Sequence, residues 1–360
     1  MIPPHGGQLR PIAERFGLPL EGLLDFSANI NPEGPPASVF TTLHKALEDP
    51  ATLTDYPDLQ QSALKQAIAS YAQVTAQNIV VANGFVPLLE AVLRTLPIRR
   101  CLLPVPAFNE YRKALARARV EVVPHPLSEH LNFRYDLDSA PRTDAILMAN
   151  PQNPTGVLHD LATILAIVKR AAREGVHVLL DEAFIDYTPE HSLAPLVERY
   201  PNLIVFRSVT KFHGIPGLRV AYLAANPALT AEMELNLPPW PITTLAAEAV
   251  RAALTDLPYA ERTRMLNRER REYVQHELHN LGIATYPAAA NYLLLRPPSH
   301  MDTNNLWQRL IREHGIVLRD CANYEALAPG HLRAAIRTEP ANERLIEALR
   351  QAMQGPAKQS

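Results

Sequence analysis

The chain has 360 residues, 47% of them hydrophobic, with a formal net charge of −2, enough for two domains or one large domain with a satellite. The near-neutral balance excludes a general basic field for nucleic acid or an anionic membrane surface, so any anion site must be a local cluster. Cys101 and Cys321 are too far apart for metal-ligand or disulfide-framework spacing, and no run of about 18 apolar residues is available to cross a bilayer. The start, Met1-Ile-Pro-Pro-His-Gly-Gly, lacks the apolar stretch of a signal peptide. The expectation is a cytoplasmic protein in a reducing compartment.

In chain order, Ile79–Ala82 reads as a strand leading through Asn83-Gly84 into a helix over 87–96. Strands follow at 101–103, 120–123, 145–148, 176–180, 203–206 and 220–223, with helical spacing at 107–118 and 160–174; Asp160 is placed to cap the latter. Short apolar runs alternating with helices predict an α/β domain with a mainly parallel sheet. After Pro238-Pro-Trp-Pro241 come helices over 243–254 and 259–281, the second bridging to another unit. That unit carries strands at 292–295, 316–318 and 332–336 and helices at 304–313 and 342–353, and residues 355–360 read as a frayed tail. The organisation expected is an N-terminal arm (1–40) packing on the small domain, a large domain (41–255) and a small C-terminal domain (256–360).

The chemistry falls where these strands end. Ser208-Val-Thr210-Lys211 is followed by Arg219, which arranges two hydroxyls and a guanidinium around one amine. Asp181 ends one predicted strand, Asn150-Pro-Gln-Asn153-Pro-Thr-Gly156 follows another, and Phe108 and Asn83-Gly84 follow two more. In open α/β sheets, ligands bind beyond the carboxyl ends of strands. Gly84 lets backbone approach a phosphate, and the helix it opens offers free N–H groups from residues 84–86, although Pro87 has none to give. Phe108 presents a flat face for an aromatic ring. A nucleophilic amine, an acid and phosphate ligands describe a pocket for pyridoxal 5′-phosphate, with Lys211 condensing with its aldehyde and Asp181 pairing its ring nitrogen.

Each piece alone has a plainer reading. The Asn/Pro/Gly segment could be a turn, Phe108 a core aromatic, and His5-Gly-Gly a loose terminus. Asp181-Glu182 could hold a metal in an ATPase, but no phosphate-binding G-x-x-x-x-G-K-[ST] loop occurs. Ser208-Val-Thr-Lys211 matches the S-x-x-K of penicillin-binding enzymes, without their companion motifs. The conjunction at separate strand ends favours the cofactor pocket.

Together with His5-Gly-Gly, Asp25-Phe-Ser-Ala-Asn29-Ile-Asn31-Pro, Tyr56-Pro-Asp58, Asp181-Glu-Ala-Phe184 and Leu332-Arg333-Ala-Ala-Ile-Arg337-Thr, these motifs make the chain resemble the PLP-dependent enzymes of the aspartate-aminotransferase fold. Within that group it is most similar to the threonine-phosphate decarboxylases of cobalamin biosynthesis, with histidinol-phosphate aminotransferases as cousins. The resemblance implies PLP-dependent transferase fold type I, a large domain with a mainly parallel sheet and a smaller α+β C-terminal domain. It implies a homodimer with shared active sites and a small amino-acid phosphate as substrate. Lys211 and Asp181 would be catalytic, and Gly84, Phe85, Val86, Ser208, Thr210 and Arg219 would hold the cofactor phosphate. Phe108 would stack on the ring, Asn153 would face its 3′-oxygen, and Tyr56 would reach in from the partner subunit. Arg333 would anchor the substrate carboxylate, with Arg337, Arg319 and His5 at its phosphate end and Asn29 beside it. Phe184 stands where aminotransferases of this fold have tyrosine, which favours decarboxylation. The rivals are a histidinol-phosphate-like aminotransferase and a catalytically silent binding module of the same fold.

Overall fold

The computed structural model describes residues 5–354; the expected tail lies outside them. Its strands are β1 (Leu24–Asp25), β2 (Ile79–Ala82), β3 (Arg100–Val105), β4 (Glu121–Pro126), β5 (Ala145–Ala149), β6 (His177–Asp181), β7 (Leu203–Ser208), β8 (Ala221–Ala224), β9 (Ala284–Thr285), β10 (Tyr292–Arg296), β11 (Ile316–Val317), β12 (Arg319–Asp320) and β13 (Leu332–Ala335). The helices are α1 (Leu9–Phe16), α2 (Ala37–Leu47), α3 (Ala51–Thr54), α4 (Ser62–Ala72), α5 (Phe85–Thr95), α6 (Asn109–Arg117), α7 (Leu161–Glu174), α8 (Val209–Phe212), α9 (Pro227–Glu234), α10 (Thr244–Thr255), α11 (Leu257–Asn280), α12 (Thr303–His314) and α13 (Glu339–Met353).

Seven strands form one sheet in the order β2-β8-β7-β6-β5-β3-β4. Only β8 runs against its neighbours, while β3 to β7 pair in parallel. Continuous apolar runs such as Leu203-Ile-Val-Phe206 suit these strands because helices cover both faces. One face packs on α4, α7 and α10, the other on α5 and α6. Helix α7 shows how this is built. Ile164, Ile167, Val168 and Ala171 repeat at helical spacing and are buried. The Asp160 carboxylate accepts from the Thr163 N–H at the start, and Gly175 closes the end in the left-handed region at φ 70°. Such a cap is worth about 0.5–2 kcal/mol.

A second sheet, β12-β13-β10-β9, packs on α12 and α13 around Trp307, whose Nε1 donates to the Leu318 carbonyl at 2.9 Å. Ile12 and Phe26 join this core, and β1 pairs in parallel with β11. The N-terminal segment through β1 thus packs on the C-terminal unit, whereas α2, which spans position 40, packs on α10 against the large sheet. The pattern of short apolar runs missed β1 and β9, each two residues long, and α1–α4. Among the described residues no helix is long and apolar enough to cross a membrane.

Strand alternation sends neighbouring residues to opposite faces. Asp181 and Ser208 serve one side of β6 and β7. Glu182 and Arg207 serve the other, with Tyr222 paired opposite Arg207 on β8. There Arg207 forms a buried ion pair with Asp186, which also accepts from the Tyr71 hydroxyl at 2.8 Å. Glu182 accepts from Ser192 Oγ at 2.6 Å and the Leu193 N–H at 2.7 Å. A cavity of about 1080 Å³ opens beside Tyr71 and Arg207, remote from the strand-end residues above. Burial pushes the Glu182 carboxyl from its ordinary 4.5 up to about 7, against the pull of Arg207. A carboxyl raised in the folded state favours folding below its unfolded pKa, and that contribution is lost as pH climbs through the folded value. The parent's contribution from this group should therefore fall between pH 4.5 and about 7, and Glu182→Gln should remove that part of the fall in urea midpoint. Parallel pH–stability curves for the two proteins would refute this.

Candidate active site

The ends of β2, β3, β5, β6 and β7 converge on one cleft of about 630 Å³. Lys211 sits on α8, the single turn that follows β7, with its Nζ 3.0 Å from Ser208 Oγ and 5.5 Å from the Phe184 ring centroid. Ser208 Oγ lies 2.8 Å from Thr210 Oγ1. The segment is braced from the arm: the Asn31 N–H donates to the Lys211 carbonyl and its side-chain amide to the Phe212 carbonyl. Burial pulls the Lys211 amine below the ordinary lysine range; the Asp181 charge opposes this and Arg219 adds to it.

Asp181 is buried with both oxygens used, Oδ2 accepting from the Tyr111 hydroxyl at 2.5 Å and Oδ1 from the Ala183 N–H at 2.8 Å. Burial raises its pKa, while Tyr111, Lys211 and Ala183 pull it back. A cationic ring nitrogen at this place would pull the same way as Lys211. The Tyr111 ring is held edge-on by Phe108, at 5.5 Å and 88°, which leaves Phe108 lining the cleft.

Gly84 precedes α5 at φ 96°, and a Cβ there would come within 2.8 Å of Arg219 Nη2. Only glycine lets that guanidinium lie against the start of the helix. The Gly84 N–H donates to the Ala82 carbonyl, so the amides open to a phosphate narrow from the expected 84–86 to Phe85 and Val86. Those two stand at the first two helical positions, which have no intrahelical acceptor. With Ser208, Thr210 and Arg219 they form a cradle that fits a phosphate group.

Asn153 Oδ1 accepts from Arg333 Nη1 at 2.5 Å, with the Tyr324 hydroxyl 3.4 Å away. That commits the carbonyl oxygen and turns the amide nitrogen toward any acceptor in the cleft. Arg333 Nη2 donates to the Ser27 carbonyl at 3.1 Å, while its Nε is buried without a partner. Asn29 Oδ1 is another buried atom without a partner beside the cleft. Arg319 is buried next to them and donates to Asn323 Oδ1 at 2.7 Å. An amine, a buried acid, a phosphate cradle and unsatisfied polar atoms together fit an anionic, aldehyde-bearing aromatic cofactor.

At the rim, His5 Nε2 lies 3.0 Å from Glu110 Oε1 on α6, and the Gly7 N–H donates to Ser27 Oγ at 2.9 Å. Gly6 is obligatory, because a Cβ there would sit 2.0 Å from the Ser27 carbonyl oxygen. Two residues after Glu110, Arg112 pairs with Glu325 from the loop after β12.

The structure thus brings His5, Asn29, Gly84, Phe85, Val86, Phe108, Asn153, Ser208, Thr210, Lys211, Arg219, Arg319 and Arg333 to one cleft, with Asp181 beside Lys211. Two expected residues lie elsewhere. Tyr56 is 79% exposed and stacks on Trp240 at 4.7 Å, outside its own chain's cleft. Arg337 is a correction to the expected substrate set. Strand β13 ends at Ala335, and the Asn342 side chain clamps the Arg337 N–H and carbonyl at the entry to α13, so Arg337 does not line the cleft. Tyr111, Glu110 and Tyr324 escaped the sequence reading. Tyr111 follows Phe108 by one helical turn, a usable signal; Tyr324 sits in an irregular loop and gave none.

This fold and cleft are those of a cofactor-dependent enzyme built on a mainly parallel sheet. The chain belongs to the aminotransferase class I and II family, whose model matches residues 21–349. It is 38% identical to the threonine-phosphate decarboxylase of Salmonella typhimurium, over 98% of this chain and 97% of that one. The histidinol-phosphate aminotransferase from Clostridium acetobutylicum superposes with a TM-score of 0.86 at 29% identity, covering 92% of this chain and 99% of that one. The enzyme of the same name from Sinorhizobium meliloti, solved with pyridoxal-5′-phosphate, superposes with a TM-score of 0.84 at 21% identity, covering 97% and 95%.

Replacing Asp181 with Asn should leave cofactor uptake measurable by absorbance and remove most turnover, because the acid's charge is lost and its place stays filled. Near-normal turnover would refute the role. Lys211→Ala should abolish the covalent link that borohydride traps in the parent, read by mass spectrometry; a label on another lysine would overturn that assignment.

Proposed function

We propose that the protein decarboxylates L-threonine O-3-phosphate to (R)-1-aminopropan-2-yl phosphate, for cobalamin biosynthesis, with pyridoxal 5′-phosphate as cofactor. The observation that carries the reading is the pair of buried arginines, Arg319 and Arg333, facing the Lys211 cleft. Together they present two guanidinium forks, suited to a substrate bearing both a carboxylate and a phosphate. Similarity to the Salmonella typhimurium decarboxylase along 98% of the chain supports the same substrate.

When bound, the cofactor supplies an electron sink for whichever bond at the substrate Cα stands perpendicular to its ring. The protein's share of the work is placement. Asp181, held by Tyr111 and the Ala183 N–H, would keep a proton on the ring nitrogen. Phe85, Val86, Ser208, Thr210 and Arg219 would hold the cofactor phosphate, and the Asn153 amide nitrogen would donate to the ring oxygen. Arg333 holds the substrate carboxylate so that its bond to Cα is the one that breaks. CO₂ leaves, and a proton must replace it at Cα. Lys211 is the only lysine among the described lining residues, and Nζ is the group placed to deliver that proton.

The second reading, an aminotransferase acting on histidinol phosphate, draws on the structural likeness to the Clostridium acetobutylicum enzyme. Phe184 favours the decarboxylase: its ring packs edge-on against Tyr292 at 4.9 Å and offers the cofactor no hydrogen bond. With Arg337 outside the cleft, the discrimination rests on Phe184 and on overall similarity. Arg333→Ala should lower kcat/KM for threonine phosphate by tenfold to a hundredfold or more, since a charge-assisted contact is worth roughly 1.5–3 kcal/mol. Arg337→Ala should stay within about twofold of the parent. Product that depends on 2-oxoglutarate, formed without CO₂, would instead establish the aminotransferase.

We also propose a cytoplasmic homodimer with shared sites, in which Tyr56, on its exposed segment beside Trp240, completes the partner's phosphate cradle. The division into an arm (1–40) packing with the small domain (256–360), beside a large domain (41–255), is proposed as the domain organisation. Sedimentation should give a dimer, and Tyr56→Phe should weaken cofactor retention; a fully active monomer would refute the shared site.

A further inference from the structure

Arg319 and Arg333 are direct cross-strand partners in the antiparallel β12–β13 pair. Residues so placed have Cα atoms about 4.5–5.5 Å apart, and like charges there repel. Both are nearly fully buried, at 4% and 6% exposure, where repulsion is screened least. The hydrogen-bond partners described for Arg333 are all neutral: Asn153 Oδ1, the Tyr324 hydroxyl and the Ser27 carbonyl.

Aromatic faces do the restraining. The Arg333 guanidinium lies over the Tyr292 ring at 5.2 Å, and that of Arg319 over the Tyr324 ring at 5.6 Å. A π face helps fix the plane of a guanidinium and leaves its charge intact, whereas a carboxylate would cancel it. Tyr324 touches both arginines, its ring on Arg319 and its hydroxyl 3.4 Å from Arg333 Nη1. The same hydroxyl is 3.4 Å from Asn153 Oδ1. Its own place is fixed by a turn, in which the Tyr324 N–H donates to the Cys321 carbonyl and the Cys321 N–H to the His331 carbonyl.

We propose that Tyr324 is a positioning residue that holds the Arg319 and Arg333 guanidiniums apart, at the spacing of a substrate with two anionic ends. The inference rests on the phosphorylated amino-acid substrate proposed above, and it assigns the selection for two anions to an uncharged side chain. A spacer has a signature that a merely structural tyrosine lacks: it matters to a ligand that spans both arginines and little to a ligand that uses one.

The test compares calorimetric affinities of L-threonine O-3-phosphate and of inorganic phosphate for borohydride-reduced holoenzyme, where binding is not followed by turnover. Tyr324→Leu should weaken threonine phosphate about tenfold or more and inorganic phosphate less than threefold. Tyr324→Phe, which keeps the ring, should recover most of that loss. Threonine phosphate affinity within twofold of the parent in Tyr324→Leu, or an equal loss for both ligands, would overturn the proposal. CO₂ release by the unreduced parent enzyme tests the substrate reading separately: its absence would sink the decarboxylase while the two-ligand comparison still decides Tyr324.

Discussion

The cleft depends on one electrostatic arrangement, a lysine amine enclosed between a buried carboxylate and a guanidinium. Burial and Arg219 both favour the neutral amine, and Asp181 favours the charged one. The balance makes the neutral, nucleophilic amine easier to reach than it is for a surface lysine. Every supporting contact preserves that balance. Tyr111 and the Ala183 N–H occupy the two oxygens of Asp181, and Gly84 lets Arg219 come close. The Asn31 brace keeps α8 in register. None of these residues would gather without β6 and β7 lying side by side in parallel.

The alternation of those two strands divides the labour. Asp181 and Ser208 face the cleft, while Glu182, Arg207 and Tyr222 form a second polar group on the opposite face with Asp186 and Tyr71. Neighbours in sequence therefore meet unrelated fates. Burial raises both carboxyls, but Asp181 is drawn back by Tyr111, Lys211 and the Ala183 N–H, and Glu182, lifted to about 7, by Arg207, Ser192 and the Leu193 N–H.

Much of this was legible in the chain. Apolar runs bounded by Gly, Pro and Asn placed β2 to β8 to within a residue or two at most ends, because a strand covered on both faces must be continuously apolar. The Asp160 cap and the Lys211 neighbourhood are local patterns, and they read locally. What failed was long-range or irregular. Arg337 shares a strand pattern with Arg333, yet the strand stops two residues short of it and Asn342 takes its backbone. Tyr324 sits in an irregular loop, and the contact of Glu110 at the rim comes from His5, far away in sequence, which no periodicity reports. Of the two strands that stitch the arm to the C-terminal unit, β11 falls within the expected strand at 316–318, while the two-residue β1 is too short for any alternation to show.

The rim and the floor of the cleft are held by different kinds of contact. His5–Glu110 and Arg112–Glu325 tie the two halves of the mouth; the second is a pair of partly solvated charges, whose attraction weakens as salt rises. Arg319 and Arg333 lie buried, out of reach of that screening. Rising ionic strength therefore weakens the Arg112–Glu325 contact at the rim more than the interactions of the two buried arginines.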